Sequence, residues 1–442
     1  MFKKIIQYLM VGLLVGVPAS LAMQPAVSQA ATATTTPATL PTAPKIDASA
    51  AIAVDAKSGQ VLFEQNADQA LPIASMTKMI TAYIVLTQIK QGKLKWEQTI
   101  KPDTTIYKLS QDKDLTNVPL QAEGQYTVRE LYQAMLIASA NDAAMMLANA
   151  VAGSQKDFVD LMRQQVSQWG IQDAKLYSVS GLNNEYLTGA MYPGSAKDAE
   201  NEMSAVDMAI VAQKLLTDFP DVLTTTKQAT FTFGSKTSDE TKFTTFNLML
   251  PGQKNASTDY IVDGLKTGTT DKAGDCFTGT ATKEGQRIIT VVLHANGSDT
   301  GRRFIETGKL MTDVFDNWAP QTLVKPQASI AGYEKATVKY GRQATVPLVA
   351  NQAIMLWLPK GATSKNVDWQ YQAVKGGTKR QVQAPIKKGT TVGQVSPQIA
   401  GTTTRFLKTQ PTYSLKTQKT DPKANVFVLI GIGVKEFFTD LF

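Results

Sequence analysis

The chain has 442 residues, 43% hydrophobic and 19% charged, with a net charge of +8, one cysteine and one histidine. A single cysteine, Cys276, excludes an internal disulfide, and without a cysteine–histidine cluster there is no zinc-binding pattern. The lone His294 ends the apolar run "RIITVVLH" and reads as a strand-end residue, so catalysis is expected to proceed without histidine, metal or cofactor.

Residues 1–30 have the order of a secretory signal. Lys3 and Lys4 start it, residues 5–21 are apolar, and Ser28 and Ala30 offer a cleavage point after Ala30. Pro18 argues against a retained membrane helix. The Thr/Ala/Pro stretch of residues 31–45 has little to bury and is expected to be a flexible spacer. The mature remainder is long enough for two buried cores.

"AAIAVDAKSGQVLFEQNAD" predicts two strands around the turn Lys57-Ser58-Gly59. Pro72 then precedes an apolar-periodic segment, residues 76–89, which predicts a buried helix. Ser75 falls at its start, with Lys78 one turn later on the same face. The spacing decides little alone, since about one or two Ser-x-x-Lys matches are expected by chance. A second match, Ser110 and Lys113, lies in the polar "YKLSQDKDLTN" and reads as the chance one.

Residues 127–150 predict helix, break, helix, interrupted at Ser139-Ala140-Asn141, because Ser and Asn favour caps over helix interiors. Further on, "IVDGLKTGTTDKAGDCFTGTATKEGQRIITVVLHA" predicts a strand carrying Lys266-Thr267-Gly268-Thr269. Two more strands follow, joined at Lys283-Glu284-Gly285. Lys-Thr-Gly occurs once, against about a tenth of an occurrence expected by chance.

After Pro320 the chain turns to short Val-, Thr- and aromatic-rich runs at spacings near those of a small β-sandwich. Residues 321–425 hold 16 Lys and Arg against 3 Asp and Glu, a net of +13, so the rest of the chain is net −5. Such a basic part suggests an anionic neighbour, either lipid headgroups or acidic wall polymer. Residues 426–434 are too short an apolar run to span a bilayer. Wound as a helix, Phe427, Ile430, Val434, Phe437, Phe438 and Leu441 would share one face, preceded by Lys416, Lys419 and Lys423. Residues 424–442 are therefore expected to lie on a membrane surface, tethering an exported protein to the outer face of the cytoplasmic membrane.

Ser-x-x-Lys, Ser-x-Asn and Lys-Thr-Gly in this order resemble the penicilloyl-serine transferases, the penicillin-binding proteins and serine β-lactamases. "IASMTKMITAYIVL", "TVRELYQAMLIASANDAAMMLANAVAGS" and "GLKTGTTDKAGDCFTGTA" resemble the low-molecular-weight D-alanyl-D-alanine carboxypeptidases over roughly residues 46–320. The resemblance implies an α/β (α+β) transpeptidase-like domain, an antiparallel sheet flanked by helices with a helical subdomain. A small all-β domain at 321–415, then a basic segment and amphipathic membrane anchor at 416–442, would follow. It also implies roles: Ser75 the nucleophile, Lys78 its base, Ser139 the proton relay to the leaving D-alanine, and Asn141 a holder of the peptide backbone. Lys266, Thr267, Gly268 and Thr269 would bind the terminal carboxylate and the strand-paired substrate, and the backbone N–H groups of Ser75 and Thr269 would form the oxyanion hole. Its expected partners are the pentapeptide stems of peptidoglycan and covalently bound β-lactams, with no nucleic acid.

The chain departs from the family pattern at Arg163, Thr269 and Asp275, which bears on substrate preference. Two other readings use the same motifs. A β-lactamase would need a deacylating glutamate, for which Glu185 in "SGLNNEYLTG" is the nearest candidate, although a surface glutamate explains it better. A non-catalytic wall-binding protein would retain the fold alone.

Overall fold

The computed structural model describes residues 36–187, 189–234, 240–297, 301–374 and 380–426. The expected signal segment, residues 31–35 of the expected spacer, and the tail beyond Val426 lie outside the described residues.

Five strands form the central sheet: β1 (Ala48–Asp55), β2 (Val61–Gln65), β3 (Ile261–Thr270), β4 (Gly274–Lys283) and β5 (Gln286–Ala295). Every pairing is antiparallel and the order is β2-β1-β5-β4-β3, which leaves β3 on an edge. Successive side chains point to opposite faces of a strand, so a strand covered on both sides must be apolar throughout. β1 shows this: Ala50, Ile52 and Val54 join one core, and Ala51 and Ala53 the other. The first core is completed by helices α1 (Lys78–Lys90), α2 (Val128–Ile137), α3 (Asn141–Ala152), α4 (Gln155–Gln168) and α5 (Ala205–Asp218). The second is covered by α6 (Arg302–Asn317), through Phe304, Leu310, Met311 and Val314.

Strand β6 (Trp318–Val324) runs directly out of α6 and across the point where the sequence changes texture. With β7 (Lys335–Lys339), β8 (Thr345–Ala350), β9 (Ile354–Pro359), β10 (Val367–Ala373), β11 (Gln381–Gln383), β12 (Thr391–Ile399) and β13 (Tyr413–Thr417) it builds an all-β part. Its main sheet has the order β10-β12-β13-β8-β7-β11, and β6 pairs with β9. The two parts are joined by the buried amide of Gln60. It donates to the Trp357 carbonyl and accepts from the Trp357 N–H, both at 2.8 Å. Arg405 adds ion pairs to Glu64 and Asp68.

Ser110 closes a short helix, Thr104–Ser110, capped by the Asp103 side chain. One expectation needs correction. The placement at the outer face of the cytoplasmic membrane is not upheld. Among the described residues no helix is long and apolar enough to cross a membrane. Of the expected basic segment and anchor at 416–442, residues 416–426 are described; Lys416 lies in β13, and Ala424 is buried with its N–H bonded to the Tyr340 carbonyl of the β-rich part.

Candidate active site

Ser75 sits in a single 3-10 turn, Ala74–Thr77, that runs straight into α1. The turn is tight: Ala74 has φ +46°, a left-handed conformation that costs a residue with a Cβ. Gly181, at φ +82°, packs on it so closely that a Cβ there would lie 1.8 Å from the Ala74 carbonyl oxygen. Asn201 locks the same region by donating to the Thr77 hydroxyl and the Ser178 carbonyl. Packing, not propensity, therefore presents the Ser75 side chain at the helix start.

Lys78 is fully buried, and its Nζ lies 2.8 Å from each of Ser75 Oγ, Asn141 Oδ1 and the Ser180 carbonyl oxygen. Burial holds its pKa well below the ordinary lysine range, the charge of Lys266 adds to this, and Asp142 opposes it. A neutral amine has two N–H donors and one lone pair. The two carbonyl-type oxygens, of Asn141 and Ser180, take the donors, and the lone pair is left for the Ser75 hydroxyl. That arrangement has the chemistry a general base needs beside a hydroxyl nucleophile.

The helix break falls where the sequence predicts. Thr127 and Glu130 form a capping box at the start of α2, and Ser139 follows its end at φ +57°. Asn141 then opens α3, with its backbone N–H and its side-chain amide both donating to the Thr116 carbonyl. This fixes the Asn141 oxygen toward Lys78. The neighbouring Asp142 is buried and accepts from the N–H groups of Val118 and Ala143, and burial lifts its pKa to about 7. The Ser139 hydroxyl is largely buried and has no hydrogen bond among the described residues, so it is open to a bound molecule.

Strand β3 closes the site. Gly268 packs against the nucleophile turn, since a Cβ there would meet the Ile73 carbonyl oxygen at 2.6 Å and the side chains of Ala74 and Met76. Lys266 is buried one turn of pleat before it and donates to the Thr267 carbonyl at 3.0 Å. Burial first, and the nearby Arg303 charge second, bring its pKa down to about 7. Thr267 is buried and Thr269 is exposed at the open edge.

The fold thus brings Ser75, Lys78 and Asn141 into direct contact, sets Ser139 two residues away, and lays Lys266 to Thr269 alongside. Ser110 spends its hydroxyl on the Tyr107 carbonyl and stays outside this group. Glu185 is exposed and bonded to Asn183, and the His294 backbone donates to Cys276 Sγ. Three contributors were missed in the sequence: Asp142, the Ser180 carbonyl, and Arg303. Arg303 donates to the carbonyls of Gly268 (2.8 Å) and Cys276 (3.1 Å) from beneath β3. A signal existed for it, since Arg303 shares the spacing of Thr307, Leu310, Met311 and Val314, the buried stripe of α6. Arg163 proves to be a support: it donates to the Leu176 carbonyl and stacks on the Tyr192 ring at 3.9 Å.

The family model described as D-alanyl-D-alanine carboxypeptidase matches residues 37–297, and that of the penicillin-binding protein 5 C-terminal domain matches 319–420. D-alanyl-D-alanine carboxypeptidase DacC of Escherichia coli strain K12 is 33% identical over 372 residues, 81% of this chain and 82% of the relative. The crystal structure of a peptidoglycan synthesis regulatory factor, PBP3 of Streptococcus pneumoniae, is similar with a TM-score of 0.70 and 37% identity. It covers 86% of this chain and 100% of its own. Penicillin-binding protein D2 of Listeria monocytogenes, solved in an ampicillin-bound form, matches with a TM-score of 0.51 and 31% identity. It covers 62% of this chain and all of its own.

Proposed function

The chain belongs to the D-alanyl-D-alanine carboxypeptidase family, and from that premise and the site geometry we propose how it removes the terminal D-alanine of a peptidoglycan pentapeptide stem. The observation that carries the reading is the Lys78 amine, desolvated and 2.8 Å from Ser75 Oγ. Ser75 Oγ attacks the carbonyl carbon of the penultimate D-alanine as its proton passes to Lys78. The N–H groups of Ser75 and Thr269 receive the developing oxyanion. The peptide bond then breaks, and the proton reaches the leaving amine of the terminal D-alanine through Ser139. Water hydrolyses the ester on Ser75 and restores the hydroxyl.

The substrate is held as an added strand. β3 is an edge, and its free side can pair with an extended peptide. Asn141 contacts the peptide backbone, while Lys266, Thr267 and Thr269 meet the terminal carboxylate. A β-lactam ring carries an acyl group and a carboxylate in a similar relation, so penicillins acylate Ser75 as well. Nothing in the site favours the β-lactamase alternative, because Glu185 is exposed and tied to Asn183.

The test is incubation with a pentapeptide ending in D-Ala-D-Ala, followed by mass analysis. Loss of one alanine is expected. An intact peptide, or rapid turnover of penicillin in place of peptide cleavage, would contradict the reading.

A further inference from the structure

The pairing of β3 and β4 sets Asp275 directly across from Thr269. Arg303 reaches both: its Nη2 donates to Thr269 Oγ1 at 2.7 Å and pairs with the Asp275 carboxylate. The two side chains of that pair are only 6% and 12% exposed. Arginine does not lose its charge at any ordinary pH, so a permanent cation lies beneath the strand that is to meet a terminal carboxylate. Arg303 pairs with no acid other than Asp275 among the described residues. The geometry of the pair does not require a carboxylate. Asp275 Oδ2 is buried without a hydrogen-bond partner, so a single neutral oxygen would serve Arg303 as well. What the carboxylate adds is its charge. The Thr269 hydroxyl, accepting from Arg303, keeps its own proton as a neutral donor on the exposed side.

We propose that Asp275 is a specificity-determining residue that cancels the charge of Arg303 and so weakens this site's preference for a free terminal carboxylate. Resting on the carboxypeptidase reading, this widens the substrate class to peptides whose last D-residue is amidated or continues into another chain. Thr269 and Lys266 are then the groups that face the peptide end, one neutral and one titratable.

The test uses two peptides ending in D-Ala-D-Ala, one a free acid and one an amide, and follows kcat/KM for each. Asp275→Asn keeps an oxygen for Arg303 and removes the charge. The acid-to-amide ratio is expected to rise on the order of three- to tenfold, through a lower KM for the acid, as a nearby unit charge is uncovered. Asp275→Glu should restore the original ratio. The double variant Asp275→Asn with Arg303→Gln removes both charges and should return the ratio to within about twofold of the unaltered chain. Should Asp275→Asn fail to fold, the double variant still decides: a large fall in its ratio would overturn the proposal. Equal shifts for both peptides, or no shift, would also overturn it and make Asp275 structural. If the unaltered chain releases alanine from neither peptide, the carboxypeptidase reading itself fails and this inference falls with it.

Discussion

Lys78 is the residue on which the chemistry turns. Complete burial disfavours its protonated form, and the charge of Lys266 makes that form costlier still. Lys78→Met should slow acylation by fluorescent penicillin about 10²- to 10⁴-fold, the usual span for a lost general base. Retention of the full labelling rate would remove Lys78 from the mechanism. The pH dependence has a definite sign. Acylation should rise with pH as Lys78 loses its proton, with a midpoint well below the ordinary lysine value of about 10.4. Lys266 works in the opposite sense: as pH rises through about 7 it loses its charge, so KM for an acid-terminated peptide should climb. Steady-state kinetics across pH 5–9, a range of about four units around the unperturbed histidine value, would separate the two limbs. A KM flat across neutrality would show that Lys266 keeps its charge.

Supporting elements set the geometry more than the reacting residues do. The segment Ser178–Gly181 provides the carbonyl that orients Lys78 and the glycine that admits the Ala74 turn. Gly181→Ala combines a positive φ with a Cβ 1.8 Å from a backbone oxygen, so it should cost about 3 kcal/mol and sharply reduce penicillin labelling. Thermal unfolding and labelling rates check this together, and an unaffected variant would show that the turn tolerates displacement. Strands and helices at this scale were largely legible. The three strands around Lys266 to His294 and the break at Ser139 follow from alternation and capping chemistry. The helix Thr104–Ser110 was not, because seven residues are too few to show a period. Nor was Asp142; for Arg303 the helical spacing marks a buried face but not the strand it meets, because that depends on which chain segments pack over it.

Across the whole molecule, the catalytic part and the β-rich part are held by one buried amide as well as by surface ion pairs. Gln60→Leu would leave the Trp357 N–H and carbonyl without partners, at about 1–3 kcal/mol for each orphaned group. Denaturant unfolding should register the loss, while D-alanine release below the transition stays intact. Arg405→Ala should matter less, since half-exposed ion pairs contribute about 0–1 kcal/mol. If Gln60→Leu leaves stability unchanged, the backbone bonds of Val61 to Arg405 and Leu407 to Gly59, the ion pairs and apolar contact join the two parts without it. The composition shift after Pro320 made the second part visible in the sequence, but not the amide that joins it.

The central claim is that Ser75, activated by Lys78, forms the acyl-enzyme. Its most direct test is to treat the protein with a penicillin, digest it, and locate the adduct by mass. One adduct per chain on the peptide carrying Ser75, absent in Ser75→Ala, is the predicted result. An adduct on another residue, or labelling that survives Ser75→Ala, would contradict the account.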